Sequence, residues 1–371
     1  MYDILHADKK LLMIGNLLSR SIFTKSIVEE LYERLTEKGW RVTPTSRIKN
    51  RPARLFDMVS TAWINRQQYS GAHIVVYSGL AFLYAEAVGL VLRMLKKPFL
   101  LTLHGGNLPA FSLRWPSRVS NLLNLADLVG TPSFYIKNKL QQFREDIIYL
   151  PNGISLDNYY NRLRVGPIYN MVWLRAFHKI YNPVMAIRTL ALLATEYPDI
   201  QLQMTGPDKG DGSLQEVKNL AEQLGVGNNL QITLGIPKGK VPSHLSGHDI
   251  FLNTTNYESF GVSVMEAAAS GMCIVTTNVG ELPYLWQHDH DALLVPPDDS
   301  EAMAAAVRRI LTESGLAERL SRNARKKAEQ FDWSIILPQW EALFTEVIQK
   351  SQQRLQKGES RRVKAFDGFT T

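Results

Sequence analysis

Apolar runs of strand length recur along the chain with helical segments between them, and this alternation restarts halfway. Such a pattern marks parallel sheets covered by helices on both faces. In the first half the runs are "LLMIGNLL", "WRVTPTS", "AHIVVYSG", "PFLLTLHGG", "LVGTPS" and "IIYLPNG". In the second they are "NMVWLRAF", "IQLQMTGP", "LQITLGI", "IFLNTT", "MCIVTTNVG" and "ALLVPP". Between the halves, "SLDNYYNRLRVGPIYN" is polar and aperiodic, so the boundary is expected near Gly166. The reading is α/β: two Rossmann-like doubly wound domains, 1–166 and 167–335, facing each other across a cleft. A helix over 336–350 follows, then a basic, mobile tail over 351–371.

At 371 residues the chain exceeds what one core supports, and 45% hydrophobic with 21% charged residues suits a soluble globular protein. Lys and Arg exceed Asp and Glu by 42 to 35, giving +7, which favours phosphorylated ligands, anionic membranes or nucleic acid. No helix-turn-helix, zinc-finger or aromatic RNA-binding motif is present, so nucleic acid is not the expected partner. The single cysteine, Cys273, lies in the apolar run "CIVTT" and reads as a structural thiol in a reducing compartment. No secretory leader is expected from "MYDILHADKK". "LAFLYAEAVGLVLRML", Leu80 to Leu95, is too short to span a bilayer and reads as a buried helix. A cytoplasmic location, with peripheral contact to an anionic membrane, is expected.

In doubly wound sheets ligands sit beyond the carboxyl ends of the strands. There the chain carries His104 with Gly105 and Gly106, Arg175 and Lys179, "TGPDKGDG" with Gly206, and "NYESFGVSVMEAAASG" with Glu258 and Glu266. A helix starting just after Glu258 would turn the amides of Phe260, Gly261 and Val262 toward a ligand, an anion site that Gly261 would leave open. Ser263 to Glu266 also has the S-x-x-E spacing of a capping box, and on spacing alone both readings stand.

Taken together, these residues resemble the retaining family 4 glycosyltransferases of the GT-B architecture. The resemblance runs from about Gly15 to Trp333. Its most specific part is "ESFGVSVMEAAASGMCIVTTNVGELPYLWQHDHDALLVPPDDSEAMAAAV", with the E-x7-E block, the Gly-Glu-x-Pro turn and the "LLVPP" end; "YLPNGI" fits the inter-domain turn. It implies transfer of a sugar from a nucleotide-diphosphate donor, UDP- or GDP-linked, to a glycan, lipid-linked or small-molecule hydroxyl, with retention of configuration. Polysaccharide or glycolipid biosynthesis is the implied setting, and the implied class is a hexosyltransferase. It assigns Glu258 and Glu266 to the donor and makes Arg175 and Lys179 the cations on its diphosphate, although the spacing of these two is one residue shorter than usual. His104, Glu258 and Arg175 are the catalytic candidates.

Gly15, Asn16, Gly206, Phe260, Gly261 and Val262 complete the donor set. Gly15-Asn16 stands where the family has Gly-Gly, leaving Ser19, Arg20, Ser21 and Thr24 either as side-chain contacts to donor phosphate or acceptor, or as helix caps. On the acceptor side are Gly105, Gly106, Asn107, Arg114 and Trp115, beside Phe111 and Arg118; basic and aromatic residues there suit a glycan or an anionic lipid interface, and equally a plain surface helix. No cofactor and no metal are expected, the Asp289-His290-Asp291 pattern being a loop feature. A nucleotide-sugar 2-epimerase of the same architecture and a non-catalytic sugar-binding protein are the competing readings.

Overall fold

The computed structural model describes residues 9–17, 26–166 and 169–367, with side chains through residue 350. Ser19, Arg20, Ser21 and Thr24 lie outside the described residues. The chain forms two compact units, Met1–Pro151 with Ile336–Thr371, and Asn152–Ile335.

The first unit carries β1 (Lys10–Ile14), α1 (Ile27–Glu37), β2 (Arg41–Thr45), α2 (Arg51–Ile64), β3 (Gly71–Val76), α3 (Phe82–Met94), β4 (Phe99–Leu103), α4 (Leu108–Arg114), α5 (Pro116–Leu125), β5 (Leu128–Thr131), α6 (Phe134–Leu140) and β6 (Ile148–Tyr149). Its strands are parallel, in the order β2-β1-β3-β4-β5-β6. The central strands β3 and β4 are buried throughout because helices cover both faces, whereas the edge strand β2 leaves Arg41 exposed. α1 starts at Ser26, whose hydroxyl accepts from the Glu29 amide while Glu29 accepts from the Ser26 amide, a capping box.

α3 departs from the expected buried helix. Phe82, Ala85, Val88, Gly89 and Leu92 face the core, whereas Leu83, Leu90 and Met94 face solvent. A run that is apolar all round carries no sign of which side is covered.

The second unit carries β7 (Asn170–Leu174), α7 (Pro183–Ala194), β8 (Gln201–Thr205), α8 (Ser213–Gln223), β9 (Leu230–Thr233), α9 (Val241–Ser246), β10 (Ile250–Asn253), α10 (Val262–Ala269), β11 (Cys273–Thr277), α11 (Leu282–Leu285), β12 (Leu293–Val295), α12 (Ser300–Thr312) and α13 (Leu316–Glu329). Its parallel sheet runs β12-β11-β10-β7-β8-β9. The order reverses between β7 and β10, which pair through Ile250 with Met171 and Phe251 with Val172. Cys273 is buried in β11 and burial pushes its thiol up to about 12.

The division falls at Pro151, not near Gly166. Residues 152–165 attach to the second unit: the Ile154 amide donates to Phe331 O at 2.8 Å, and the fully buried Arg164 reaches Asp249 at 3.2 Å and His248 O at 2.7 Å. Ile154 and Tyr159 also pack into a hydrophobic cluster of this unit, but these apolar anchors are isolated among polar residues and leave no hydrophobic period to read.

The last helix, α14 (Trp333–Asp367), runs through the region expected to be a mobile tail. From Ile336 it belongs to the first unit, where Trp340 and Phe344 meet His73 at ring distances of 5.4 and 5.6 Å and Glu341 accepts from Trp40 Nε1 at 2.8 Å.

Candidate active site

In the second unit the loops leaving β7 and β10 meet at the point where strand order reverses, the usual ligand crevice of an open parallel sheet. They are tied to each other. Thr254 Oγ1 accepts from Trp173 Nε1 at 2.9 Å and donates to Tyr181 O at 2.7 Å, and the Asn256 amide donates to Ile180 O at 2.8 Å.

On this frame stand Arg175 and Glu258, in direct ion-pair contact through Nη2 and Oε2. Both are largely buried, the side chains being 13% and 9% exposed. Arg175 Nε approaches Asn253 Oδ1 at 3.4 Å, and the guanidinium stands 5.2 Å from the Tyr181 ring centroid. The other carboxylate oxygen, Glu258 Oε1, accepts from the amides of Ser259 and Phe260 at 3.0 and 3.2 Å. The Phe260 amide is thus directed at Glu258 and not at open space, which corrects the expectation that it faces a phosphate.

Two glycines hold this pair by close approach. A Cβ on Gly206 would stand 1.6 Å from Arg175 O, and one on Gly280 would stand 2.0 Å from Glu258 O. Gly206 therefore sets the Arg175 backbone, and the Gly-Glu-x-Pro turn backs Glu258, whose carbonyl accepts from the Glu281 amide at 3.1 Å.

α10 begins at Val262, not directly after Glu258. Its N-cap is Gly261 at φ 90°, a left-handed conformation open to glycine, with no side-chain cap. Ser263 is consequently the second helical residue, and the capping-box reading of Ser263 and Glu266 fails. The buried Glu266 carboxylate instead accepts from Tyr159 Oη at 2.7 Å and ion-pairs with Lys238. Gly261 and Val262 open the helix with amides that have no residue four back within it.

Lys179 is exposed in the loop after β7, and its amide donates to Asp211 Oδ2 at 2.8 Å. This bond is the main cause that holds the Asp211 carboxyl down at about 2. The Lys179 loop is so tethered to the glycine-rich loop after β8.

Sequence reasoning missed Lys238 and Tyr159. Lys238 follows β9 and is within reach of the strand-end rule; Tyr159 lies in the aperiodic stretch and carries no signal. Asp289 and Asp291 are engaged locally: Asp289 pairs with Arg309 at 2.7 Å, and Asp291 Oδ1 accepts from the Gln287 amide at 2.7 Å. Among the described residues no group of three or more His, Cys, Asp or Glu is arranged to hold a metal ion.

In the first unit the order reverses between β1 and β3. Gly15 continues the β1–β2 ladder, its amide donating to Thr45 O at 2.8 Å, and Asn16 Oδ1 accepts from Arg54 Nη1 at 3.0 Å. His104 follows β4, with its amide on Val76 O at 2.9 Å and its ring 5.9 Å from that of Tyr77. Burial lowers its pKa to about 4, so the imidazole is neutral at physiological pH. Gly105, at φ 95°, turns the chain, its carbonyl accepting from the Leu108 amide at 3.0 Å, and Gly106 and Asn107 lead into α4. Exposed Arg114 and Trp115 stand 5.8 Å apart, guanidinium to ring, while Arg118 is held by Glu86 at 2.9 Å and stands 5.9 Å from the Phe111 ring.

The two parallel doubly wound sheets with flanking helices are the fold of the GT-B glycosyltransferases. Residues 171–327 match the family described as "Glycosyl transferases group 1". A D-inositol 3-phosphate glycosyltransferase of Corynebacterium glutamicum is 27% identical over 45% of this chain and 41% of its own. The chain spans less than half the length of the curated relatives it matches. Among solved structures, a sucrose-phosphate synthase from Thermosynechococcus elongatus superposes with a TM-score of 0.75 at 19% identity, over 92% of this chain and 99% of its own. Anabaena HepE, in complex with UDP and glucose, superposes with a TM-score of 0.71 at 16% identity, over 91% and 99%.

Proposed function

We propose that the chain is a retaining family 4 glycosyltransferase that moves a hexosyl group from a UDP- or GDP-sugar to a hydroxyl of a glycan, lipid-linked or small-molecule acceptor in polysaccharide or glycolipid synthesis. The observation that carries this reading is the Arg175–Glu258 pair at the strand-order reversal of the second unit, with Glu266 on the adjoining helix. The family match over 171–327 and the UDP and glucose bound by the HepE structure support it.

Arg175 presents a planar guanidinium to phosphate oxygens, and Lys179 brings a second cation beside it. The open amides of Gly261 and Val262 add the positive end of α10. Glu266 accepts from the ribose diol, and Glu258 from sugar hydroxyls. As the bond between the anomeric carbon and the phosphate oxygen breaks, charge grows on the leaving phosphate and these cations stabilise it. The acceptor oxygen bonds to the anomeric carbon on the face the phosphate leaves, and its proton passes to the departing phosphate. His104, neutral at physiological pH, serves as a hydrogen-bonding group at the sugar and not as a cation.

Incubation with UDP-, GDP- and ADP-sugars, with and without hydroxyl acceptors, tests this. Acceptor-dependent release of nucleoside diphosphate, with a retained anomeric centre by NMR, is expected. Epimerised sugar nucleotide in the absence of acceptor would replace the reading with an epimerase.

A further inference from the structure

We propose that α2 and α3 of the first unit form a docking face for an anionic lipid surface. Both helices lead toward the same edge of the sheet, from β2 to β3 and from β3 to β4, so right-handed crossovers place them side by side on one face. They pack against each other. Each also presents an apolar stripe to solvent. On α2, Phe56 and Trp63 stand seven residues apart and hence on one side, with Ile64 beside them; on α3, Leu83, Leu90 and Met94 do the same. These are large side chains with large exposures: 75% for Phe56, 70% for Ile64 and 71% for Met94. Single exposed apolar residues are ordinary, but two adjacent helices striped in this way form a patch that marks an interaction surface.

Charge identifies the partner. From Arg47 to Lys97 the sequence carries eight Lys or Arg against two carboxylates. Both acids are engaged: Asp57 accepts from Thr45 Oγ1 at 2.9 Å, and Glu86 is held by Arg118. Arg51, Arg66, Arg93 and Lys96 are exposed at the ends of the two helices, and the Arg66 guanidinium stands 5.6 Å from the Trp63 ring. Apolar side chains flanked by long basic ones match a bilayer interface, where the former enter the acyl boundary and the latter reach anionic headgroups. A second copy of the chain fits poorly, because a two-fold contact would set this basic rim against itself. Among the described residues no helix is long and apolar enough to cross a membrane, so contact of this kind is in the plane of the interface.

Sedimentation of the full chain with vesicles tests the proposal, and it uses no sugar nucleotide, so its outcome is independent of the transferase reading. Vesicles of phosphatidylcholine with phosphatidylglycerol should bind the protein, and phosphatidylcholine alone should bind it at least tenfold more weakly. Trp63→Ser with Leu90→Ser should lower binding at least tenfold while circular dichroism is unchanged. Arg66→Gln with Arg93→Gln and Lys96→Gln alters only exposed positions and keeps the test open if the first variant misfolds. It should lower binding by more than tenfold, each basic residue near a charged surface being worth about fivefold. Equal binding by wild type and both variants, no binding to either vesicle, or a wild-type dimer that the Trp63/Leu90 variant converts to monomer would overturn it.

Discussion

Replacing Glu258 with Gln should move binding and turnover in opposite directions. The substitution keeps a side-chain oxygen to accept from the Ser259 and Phe260 amides, so the loop need not rearrange. It removes the negative charge that occupies Arg175. A phosphate gripped by the outer edge of that guanidinium stands roughly 7 Å from the Glu258 carboxylate. At an effective dielectric of about 20 the repulsion between them is about 2 kcal/mol, and screening in this partly open loop reduces it to about 1. Relief of that repulsion should tighten binding of free nucleoside diphosphate roughly fivefold. The sugar nevertheless loses a charged acceptor for its hydroxyls, worth about 1.5–3 kcal/mol for hydrogen bonds to charged groups, so kcat should fall at least tenfold. Calorimetry with the diphosphate and steady-state kinetics with the sugar nucleotide read the two effects separately. Weaker diphosphate binding with unchanged kcat would refute the placement of Glu258 between Arg175 and the sugar.

Arg175→Lys keeps the charge and loses the two-pronged grip, so kcat should fall, and Arg175→Ala should be worse by a further ~1–3 kcal/mol; wild-type kcat in a folded Arg175→Ala enzyme would remove it from the mechanism. Activity should persist in excess EDTA, since the proposed diphosphate contacts are side-chain cations and helix amides; loss restored by Mg²⁺ or Mn²⁺ would contradict this. Stability should fall with acid, because burial lowers His73 to about 3 and His104 to about 4 while both titrate near 6.5 when unfolded. The unfolded chain then binds more protons below that value: the contribution is fully present above pH 6.5 and is lost as pH falls toward 4 and then 3. Between pH 7 and pH 5 each histidine should cost on the order of 2 kcal/mol in denaturant unfolding, and His73→Gln should remove about half of the combined loss. An unchanged pH dependence would contradict the buried-neutral assignment.

The strands were the most legible part of the chain. Among the described residues all twelve coincide with the expected runs; the signal is continuous in the central strands such as β3, β4, β10 and β11, which are buried throughout, and weaker in β2, β8 and β9, which are only partly buried. Signals that depend on a distant partner were not legible. Arg164 is buried by Asp249 and His248, far along the chain, and so the unit boundary was read fifteen residues late. For the same reason Glu266 was recognised while Lys238 and Tyr159, which hold its carboxylate, were not. α3 shows the converse limit: its apolar composition hid the fact that Leu83, Leu90 and Met94 face solvent. Spacing alone could not separate a capping box from a ligand site at Ser263 to Glu266. The left-handed Gly261 did so, by starting the helix two residues too early for Ser263 to cap it.

The measurement that tests the central claim most directly is calorimetric titration of the full chain with UDP, GDP and ADP, on wild type and on Glu266→Ala, with Glu266→Gln to retain an acceptor for the Tyr159 hydroxyl. The account predicts that at least one nucleoside diphosphate binds the wild type and that Glu266→Ala weakens it at least tenfold, the equivalent of about 1.4 kcal/mol, with the fold intact by circular dichroism. Failure of all three nucleotides to bind the folded wild type, or equal affinity in wild type and both variants, would contradict the assignment of this site to a nucleotide-sugar donor.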